Sequence, residues 1–160
     1  MKSRIFSLLL LMLLAFSTTC FAHALPNSEF SLGGIGVANG TTIDYVRSIY
    51  GEPRLVSTSK YSRTYMYGDS VTIKTDHYGN SPERVFCVTV TANNGFGTPA
   101  GLTVGMKTST MFRLYGYEKP DYNSRTGTYE YMYPHQGSGA GAGMQISVKH
   151  DTIQKIMVIN

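Results

Sequence analysis

The chain has 160 residues, with 14 lysines and arginines against 10 aspartates and glutamates, so its formal net charge is +4 at pH 7. The basic residues are not clustered, and nucleic acid is therefore excluded as a partner because its backbone requires a dense basic surface. Beyond the first 24 residues no segment is apolar enough to cross a membrane, which excludes a membrane-spanning protein.

The first 24 residues have the features of a secretory signal peptide. Two basic residues precede an apolar run at positions 5–16, and the small-residue pattern Ala22-His23-Ala24 follows as a cleavage site. The apolar run is about half of the roughly 20 residues that a membrane-spanning helix needs. Cleavage after Ala24 would leave 160 − 24 = 136 residues. We therefore expect an exported protein of the cell envelope or the extracellular space.

The two cysteines carry separate predictions. Cys20 lacks the apolar residue three positions upstream that bacterial lipoproteins carry, so lipidation is the weaker alternative. Cys87 is left alone after cleavage, and the domain must then depend on its apolar core rather than on an internal disulfide. Because Cys87 lies among β-forming residues without a histidine or charged partner, it is predicted to be a small buried strand residue and not a reactive thiol.

Residues 40–51 predict a short helix, followed by strands. Ile43, Val46 and Ile49 recur at helical spacing, Thr41 or Thr42 can serve as the N-cap, and Gly51 marks the end. The apolar period then changes to two. Antiparallel strands are predicted at residues 64–67, 71–75 and 85–91, with residues 54–58 as a weaker candidate.

The second half predicts a similar series after a Gly- and Pro-rich linker at residues 93–101. A helix is expected near residues 108–115, with strands at 129–133, 144–149 and 153–159, the last two joined by a tight hairpin. The glycine-rich run at 137–143 lies between two of these strands. It is therefore predicted to be an enlarged hairpin loop, because a phosphate-binding loop would be followed by a helix N-terminus.

The two halves also match each other in sequence. Residues 40–51 align with 105–116 at an offset of 105 − 40 = 65, and Tyr65-Met66-Tyr67 aligns with Tyr131-Met132-Tyr133 at an offset of 131 − 65 = 66. The shared order and spacing predict two tandem repeats, at residues 31–95 and 101–160. The predicted fold class is α+β, in which each repeat is a short helix followed by a three- to four-stranded antiparallel sheet.

This pattern resembles a known family. A glycine start, a central apolar residue and a Gly-x-Pro end, followed by an aromatic strand and two closing strands, resemble the small domain of the outer-membrane assembly lipoprotein BamE of the SmpA/OmlA family. Two such units in tandem resemble the β-lactamase inhibitor protein. The resemblance covers about residues 31–160, and it implies a module that binds another protein through the open side of its sheet.

No motif in the sequence indicates catalysis, a metal site or a cofactor. His77, His135 and His150 lie in or beside predicted turns, and no nucleophile signature surrounds any serine. No pair of ligand-type residues has the spacing of a zinc or calcium site. The glycines at 33–40 precede a helix, but no P-loop lysine or βαβ unit follows, so an irregular loop is expected. We predict a protein that is not an enzyme, although a triad assembled from these histidines stays open.

Tyrosine is the distinctive residue type, with 12 in the chain and no tryptophan. The candidate partner-binding residues are tyrosines that share a face of their predicted strands: Tyr65, Tyr67, Tyr129, Tyr131 and Tyr133. On the open face they would suit protein contact. On the helix-covered face they would be core, and Met66 and Met132 would point outward. We expect at least part of the row to be exposed.

The functional prediction is an exported, non-enzymatic protein that binds another protein through an aromatic sheet surface. A binder of small molecules or polysaccharides that uses the same tyrosines is the second hypothesis. An envelope hydrolase is the third, and a cleft that brings together histidine and acidic side chains would favour it.

Overall fold

The computed structural model describes residues 24–79 and 81–160. The predicted signal peptide, except for Ala24, lies outside the described residues. Within these two ranges no helix combines the length and the apolar character needed to cross a membrane.

Two short helices alternate with strands along the chain. The first half contains the strands β1 (Ser31–Leu32) and β2 (Ile35–Gly36), helix α1 (Ile43–Tyr50), and the strands β3 (Arg54–Thr58), β4 (Ser62–Tyr67), β5 (Val71–Asp76) and β6 (Val85–Val90). The second half contains helix α2 (Thr108–Tyr115) and the strands β7 (Asp121–Asn123), β8 (Thr128–Pro134), β9 (Gly143–Lys149) and β10 (Thr152–Ile159). Both predicted helices and the main predicted strands are confirmed, whereas β1, β2 and β7 were not predicted.

Eight of these strands form one antiparallel sheet in the order β3-β4-β5-β6-β10-β9-β8-β7. The predicted fold class, α+β with a separate sheet in each of two repeats, is therefore wrong. The protein is mostly β. It has one large sheet because β6 pairs directly with β10, from Cys87↔Ile159 to Val90↔Ile156. Two separate sheets would leave β6 and β10 as unpaired edges, and joining them satisfies those backbone groups and removes both edges.

Glycine residues end both helices, and a side-chain cap begins α1. Thr42 is the N-cap of α1, and its side-chain oxygen accepts a hydrogen bond from the Tyr45 amide at 3.3 Å. Gly51 and Gly116 end the two helices with φ angles of 79° and 80°, which glycine adopts without strain. Both helices pack on the same face of the sheet, and the core lies between them and the sheet.

The segment before α1 covers the part of this face that the helices leave free. Its side chains Phe30, Leu32, Ile35 and Val37 are fully buried, and β1 and β2 both contact β6. The prediction of an irregular glycine loop here is confirmed at Gly33, Gly34 and Gly40, which all have positive φ angles. The same segment also contains the unpredicted β1–β2 hairpin.

Substitution of Gly33 tests this hairpin. A Cβ atom at this position would lie 2.4 Å from Phe96 Cδ1, whereas a Cβ at Gly34, also at positive φ, would meet nothing within 4 Å. We expect Gly33→Ala to lower the free energy of unfolding by about 2–3 kcal/mol and Gly34→Ala by about 1 kcal/mol, because only the first adds a clash to the backbone strain. Urea unfolding measures both, and equal losses would contradict the close contact between this turn and Phe96.

Candidate functional site

The sheet has one covered face and one open face. Register and alternation assign the residues of β4, β5, β6, β10, β9 and β8 to the two faces. The covered face carries the buried core side chains, which include Ile73, Val88 and Ile156. The central side chains of the opposite face, Thr72, Thr89, Gln145 and Met157, are partly exposed. This open face is a candidate surface for a partner.

A continuous row of paired residues crosses the open face. Each member is the direct cross-strand partner of the next, in the order Arg54, Met66, Thr72, Thr89, Met157, Gln145 and Met132. Met132 is 42% exposed, and Met66 and Met157 are half-buried. Methionine is flexible and polarizable, so three methionines in one row form an adaptable apolar contact strip.

A polar network borders this row on the side of β8 and β9. The Glu130 carboxylate accepts hydrogen bonds from the hydroxyl groups of Ser147 at 2.5 Å and Thr128 at 2.7 Å. Lys155 Nζ lies 4.0 Å from the same carboxylate. Glu130 is therefore already satisfied within the protein and contributes shape and charge, and it is not an unpaired group that awaits a ligand.

The free charges of the open face are unevenly distributed. Arg54 and Lys74 are exposed on the side of β3 to β5. Asp121 is exposed at the opposite edge, on β7, beside the neutralised Glu130. The face is thus basic at one side, uncharged in the middle and weakly acidic at the other, and this polarity can orient a partner.

The structure separates the predicted tyrosines. Tyr65, Tyr131 and Tyr133 are buried on the covered face, Tyr67 is half-buried there, and Tyr129 is 51% exposed beyond the edge of α2. The Tyr67 and Tyr133 hydroxyls donate to the carbonyl oxygens of Gly51 and Gly116, each at 2.9 Å. These phenols satisfy backbone groups at the helix ends, and Met66 and Met132 point outward instead.

Tyr65 belongs to a buried polar cluster around Glu83. The Glu83 carboxylate accepts hydrogen bonds from Tyr65 at 2.8 Å, from Thr75 at 3.0 Å and from the Arg63 guanidinium. Burial by itself would raise the pKa of Glu83, but the hydrogen bonds from Tyr65 and Thr75 and the charge of Arg63 outweigh it and hold that pKa below its usual value. A carboxylate held ionised in this way joins β4 and β5 to the segment before β6.

Neither a reactive thiol nor a metal site is found in the part of the chain that the structure describes. Burial raises the pKa of the Cys87 thiol, and its side chain is 2% exposed, which confirms the predicted buried strand residue. No group of three or more His, Cys, Asp or Glu side chains within residues 24–79 and 81–160 could hold a metal ion.

Two cavities lie at one end of the sheet. The first, of about 370 Å³, is lined by Tyr61, Ser62, Asp76, Tyr78 and Phe86. The second, of about 320 Å³, is lined by Ile159, Asn160 and the loop 138–142. The glycine-rich run does form the predicted enlarged hairpin loop between β8 and β9, and it also forms one wall of the second cavity, which sequence reasoning missed.

Neither a protein-family model nor a curated protein matches the chain. Among solved structures, a cysteine-rich secretory protein from Staphylococcus aureus subsp. aureus Mu50 is similar in fold, with a TM-score of 0.51 and 12% sequence identity. The match covers 86% of this chain and 50% of that protein, so the chain spans about half the length of the structure it matches. At this identity the likeness concerns the fold alone.

Proposed function

We propose that this protein is exported and binds another protein through the open face of its eight-stranded sheet. The observation that carries the proposal is the row from Arg54 to Met132, in which three methionines alternate with threonine and glutamine side chains across a face whose central residues are partly exposed. Methionine and arginine are enriched at protein interfaces relative to the rest of a protein surface.

The size of the open face fits a protein partner. Eight strands about 4.8 Å apart span about 34 Å, and the strands, which have three to eight residues each, average about 20 Å in length, so the face covers about 700 Å². A stable interface of standard size buries about 800 Å² on each partner. A small molecule would cover only a part of this surface, whereas a folded protein can cover it completely.

Charge complementarity indicates the chemistry of the partner. Its surface should be apolar opposite Met66, Met157 and Met132, and acidic opposite Arg54 and Lys74, which are exposed on one side of the row. Charges at the rim contribute mainly to the association rate and to orientation, and the apolar strip supplies most of the affinity.

The proposal of export is supported by the sequence of residues 1–24, in which basic residues, an apolar run and a small-residue cleavage pattern follow one another. The similar structure from S. aureus is that of a secretory protein. The sequence resemblance to BamE and to the β-lactamase inhibitor protein adds support for binding by a sheet surface, since it implies that mode of action.

Substitutions on the open face test the proposal. The tagged protein should capture one stoichiometric protein from the culture of its source organism, and Met132→Glu and Met66→Glu, at opposite ends of the row, should each weaken that capture at least about 30-fold. A buried carboxylate opposite an apolar partner surface costs about 2 kcal/mol or more. Quantitative pull-down followed by surface plasmon resonance measures the change.

Ile49→Glu is the matched control, because Ile49 is an exposed apolar residue of α1 on the other side of the sheet. The Ile49→Glu variant should capture the partner as strongly as the unmodified protein does. The proposal fails if the open-face variants, with unchanged thermal unfolding, bind as strongly as this control, or if no captured protein depends on the open face.

A further inference from the structure

Three side chains from two distant parts of the chain form a line beside the second cavity. The Ser138 hydroxyl is hydrogen-bonded to His135 Nδ1, and His135 Nε2 is hydrogen-bonded to Asn27 Oδ1. Asn27 begins the short 3-10 turn Asn27–Glu29, whereas His135 directly follows β8. A hydroxyl, an imidazole and an orienting amide in this order are the arrangement of a nucleophile, its base and the group that orients the base.

The hydrogen bond to Asn27 fixes the tautomer of the imidazole. A carbonyl oxygen such as Asn27 Oδ1 only accepts, so His135 Nε2 carries the proton and donates it. His135 Nδ1 is then the unprotonated nitrogen, and it accepts the hydrogen bond of the Ser138 hydroxyl. This is the tautomer that a general base for Ser138 requires.

The base is held rigidly although it precedes a glycine-rich loop. His135 is 8% exposed, and its ring lies 4.1 Å from the ring of Phe30. Its neighbours in the chain are also fixed, since the Leu25 amide donates to the Pro134 carbonyl oxygen at 2.9 Å and the Leu25 carbonyl oxygen accepts from the Gln136 amide at 3.0 Å. His135 does lie beside the predicted turn, but its ring is packed and has a partner on each nitrogen.

Ser138 in turn is exposed to the cavity of about 320 Å³ that the loop 138–142 lines with Ile159 and Asn160. Its hydroxyl also lies 3.5 Å from Asn160 Oδ1. The backbone N–H groups of Gly139, Ala140 and Gly141 have no acceptor within the described part of the chain. These amides are available to stabilise negative charge on an oxygen atom bound next to Ser138.

We propose that Ser138, His135 and Asn27 form a nucleophilic centre that hydrolyses small carboxylic esters. The Ser138 oxygen attacks the ester carbonyl carbon and its proton passes to His135 Nδ1. The resulting tetrahedral oxyanion collapses, the bond to the alcohol oxygen breaks, and His135 returns the proton to the departing alcohol. Water then attacks the acyl group on Ser138, with His135 as base, and releases the acid and the free serine. The net reaction consumes one ester and one water and yields one acid and one alcohol.

The substrate class follows from the cavity and from the residues that line it. Its volume is at the lower end of the range of small-molecule sites, and its wall contains the apolar side chains of Ala140, Ala142 and Ile159 and no ionisable side chain. A short, uncharged acyl group fits these surroundings better than a charged or a polymeric one.

A serine-reactive fluorophosphonate probe and p-nitrophenyl acetate test this proposal on the purified protein without its signal peptide. We expect covalent labelling of the peptide that contains Ser138, and ester hydrolysis that falls at least about 100-fold in Ser138→Ala. Ser124→Ala, at an exposed serine of the β7–β8 turn, is the matched control and should keep both the covalent labelling and the ester hydrolysis. Absence of labelling, or equal hydrolysis by Ser138→Ala, overturns the proposal.

Asn27 acts through His135, and its role as a positioning residue needs a separate readout. In Asn27→Asp a carboxylate faces Nε2 and favours the imidazolium, so the ascending limb of the pH–rate profile should move to higher pH by about 1 unit. A purely structural role of Asn27 would lower the rate without moving this limb. An unchanged midpoint of the ascending limb would exclude Asn27 from the nucleophilic centre.

The partner assay tests the open face, and the hydrolysis assay tests Ser138. Failure of one proposal therefore leaves the other intact.

Discussion

Replacing Tyr133 with alanine is expected to lower the free energy of unfolding by about 3–5 kcal/mol, as for other large aromatic side chains removed from a core. Tyr133 is 0% exposed, and its ring lies 5.5 Å from that of Tyr115 on α2. Its hydroxyl also donates to the Gly116 carbonyl oxygen at 2.9 Å. The substitution removes both the packing between sheet and helix and the hydrogen bond at the helix end.

Tyr129 is the matched control on the same strand and the same face. It is 51% exposed and contacts Tyr122, at a ring distance of 5.2 Å, beyond the part that α2 covers. Tyr129→Ala should therefore cost about 1 kcal/mol or less. Tyr133→Phe keeps the packing and should cost about 1 kcal/mol, which isolates the hydrogen bond to Gly116.

Chemical denaturation monitored by circular dichroism measures all three variants. Similar losses for Tyr133→Ala and Tyr129→Ala would show that α2 does not cover Tyr133 in solution. The same comparison decides which members of the tyrosine row are available to a partner. By the structure, Tyr129 is the member with a largely exposed ring.

The local structure of this protein could be predicted from its sequence to a large extent. The caps of α1 depend on Thr42 and Gly51, and the alternation in Val71–Asp76 and Thr152–Ile159 specifies strands. β1 and β2 have two residues each, and β7 has three. Strands this short contain no period that a sequence can display.

The joining of the two halves could not be predicted, because it depends on pairing between residues far apart in the chain. Val90 lies opposite Ile156 across the β6–β10 pair, 66 positions later by 156 − 90. The alternation in each strand is the same whether that strand is an edge or is paired on both sides. A sequence match between the halves therefore predicts two similar units but not that they share one sheet.

The side-chain arrangements on the sheet and beside the second cavity could not be predicted, for a related reason. Alternation shows that Tyr131 and Tyr133 share a face, but not which face the helices cover, and the buried face proved to be theirs. His135 and Asn27 are 108 positions apart, so no local motif could connect them. The one sequence signal was the glycine-rich run itself, which leaves room for a cavity beside Ser138.

The buried tyrosines also determine how stability depends on pH. Burial raises the pKa of both Tyr115 and Tyr133 well above the ordinary value of a tyrosine. The Tyr115 hydroxyl donates toward Glu29 Oε2 at 3.0 Å, and a phenolate there would face that carboxylate. The folded protein thus keeps two protons that the unfolded chain loses at a pH of about 10.

The sign of the effect follows from this difference in bound protons. Below a pH of about 10 these tyrosines are protonated in both the folded and the unfolded protein, so the contribution of the two tyrosines to stability is fully present. Above it the unfolded chain is deprotonated first, and the free energy of unfolding should fall by about 1.4 kcal/mol per pH unit for each tyrosine, about 2.7 for the two. Against a typical total of about 5–15 kcal/mol, this loss unfolds the protein within a few pH units.

Urea unfolding at a series of alkaline pH values, with phenolate absorbance recorded in parallel, measures this slope. Tyr133→Phe is the decisive comparison, because it removes one of the two titrating groups and keeps the ring in place. Its slope should be smaller than that of the unmodified protein by about 1.4 kcal/mol per pH unit. An identical slope would mean that Tyr133 ionises in the folded state as readily as in the unfolded chain, and hence that the contact between α2 and the sheet admits water.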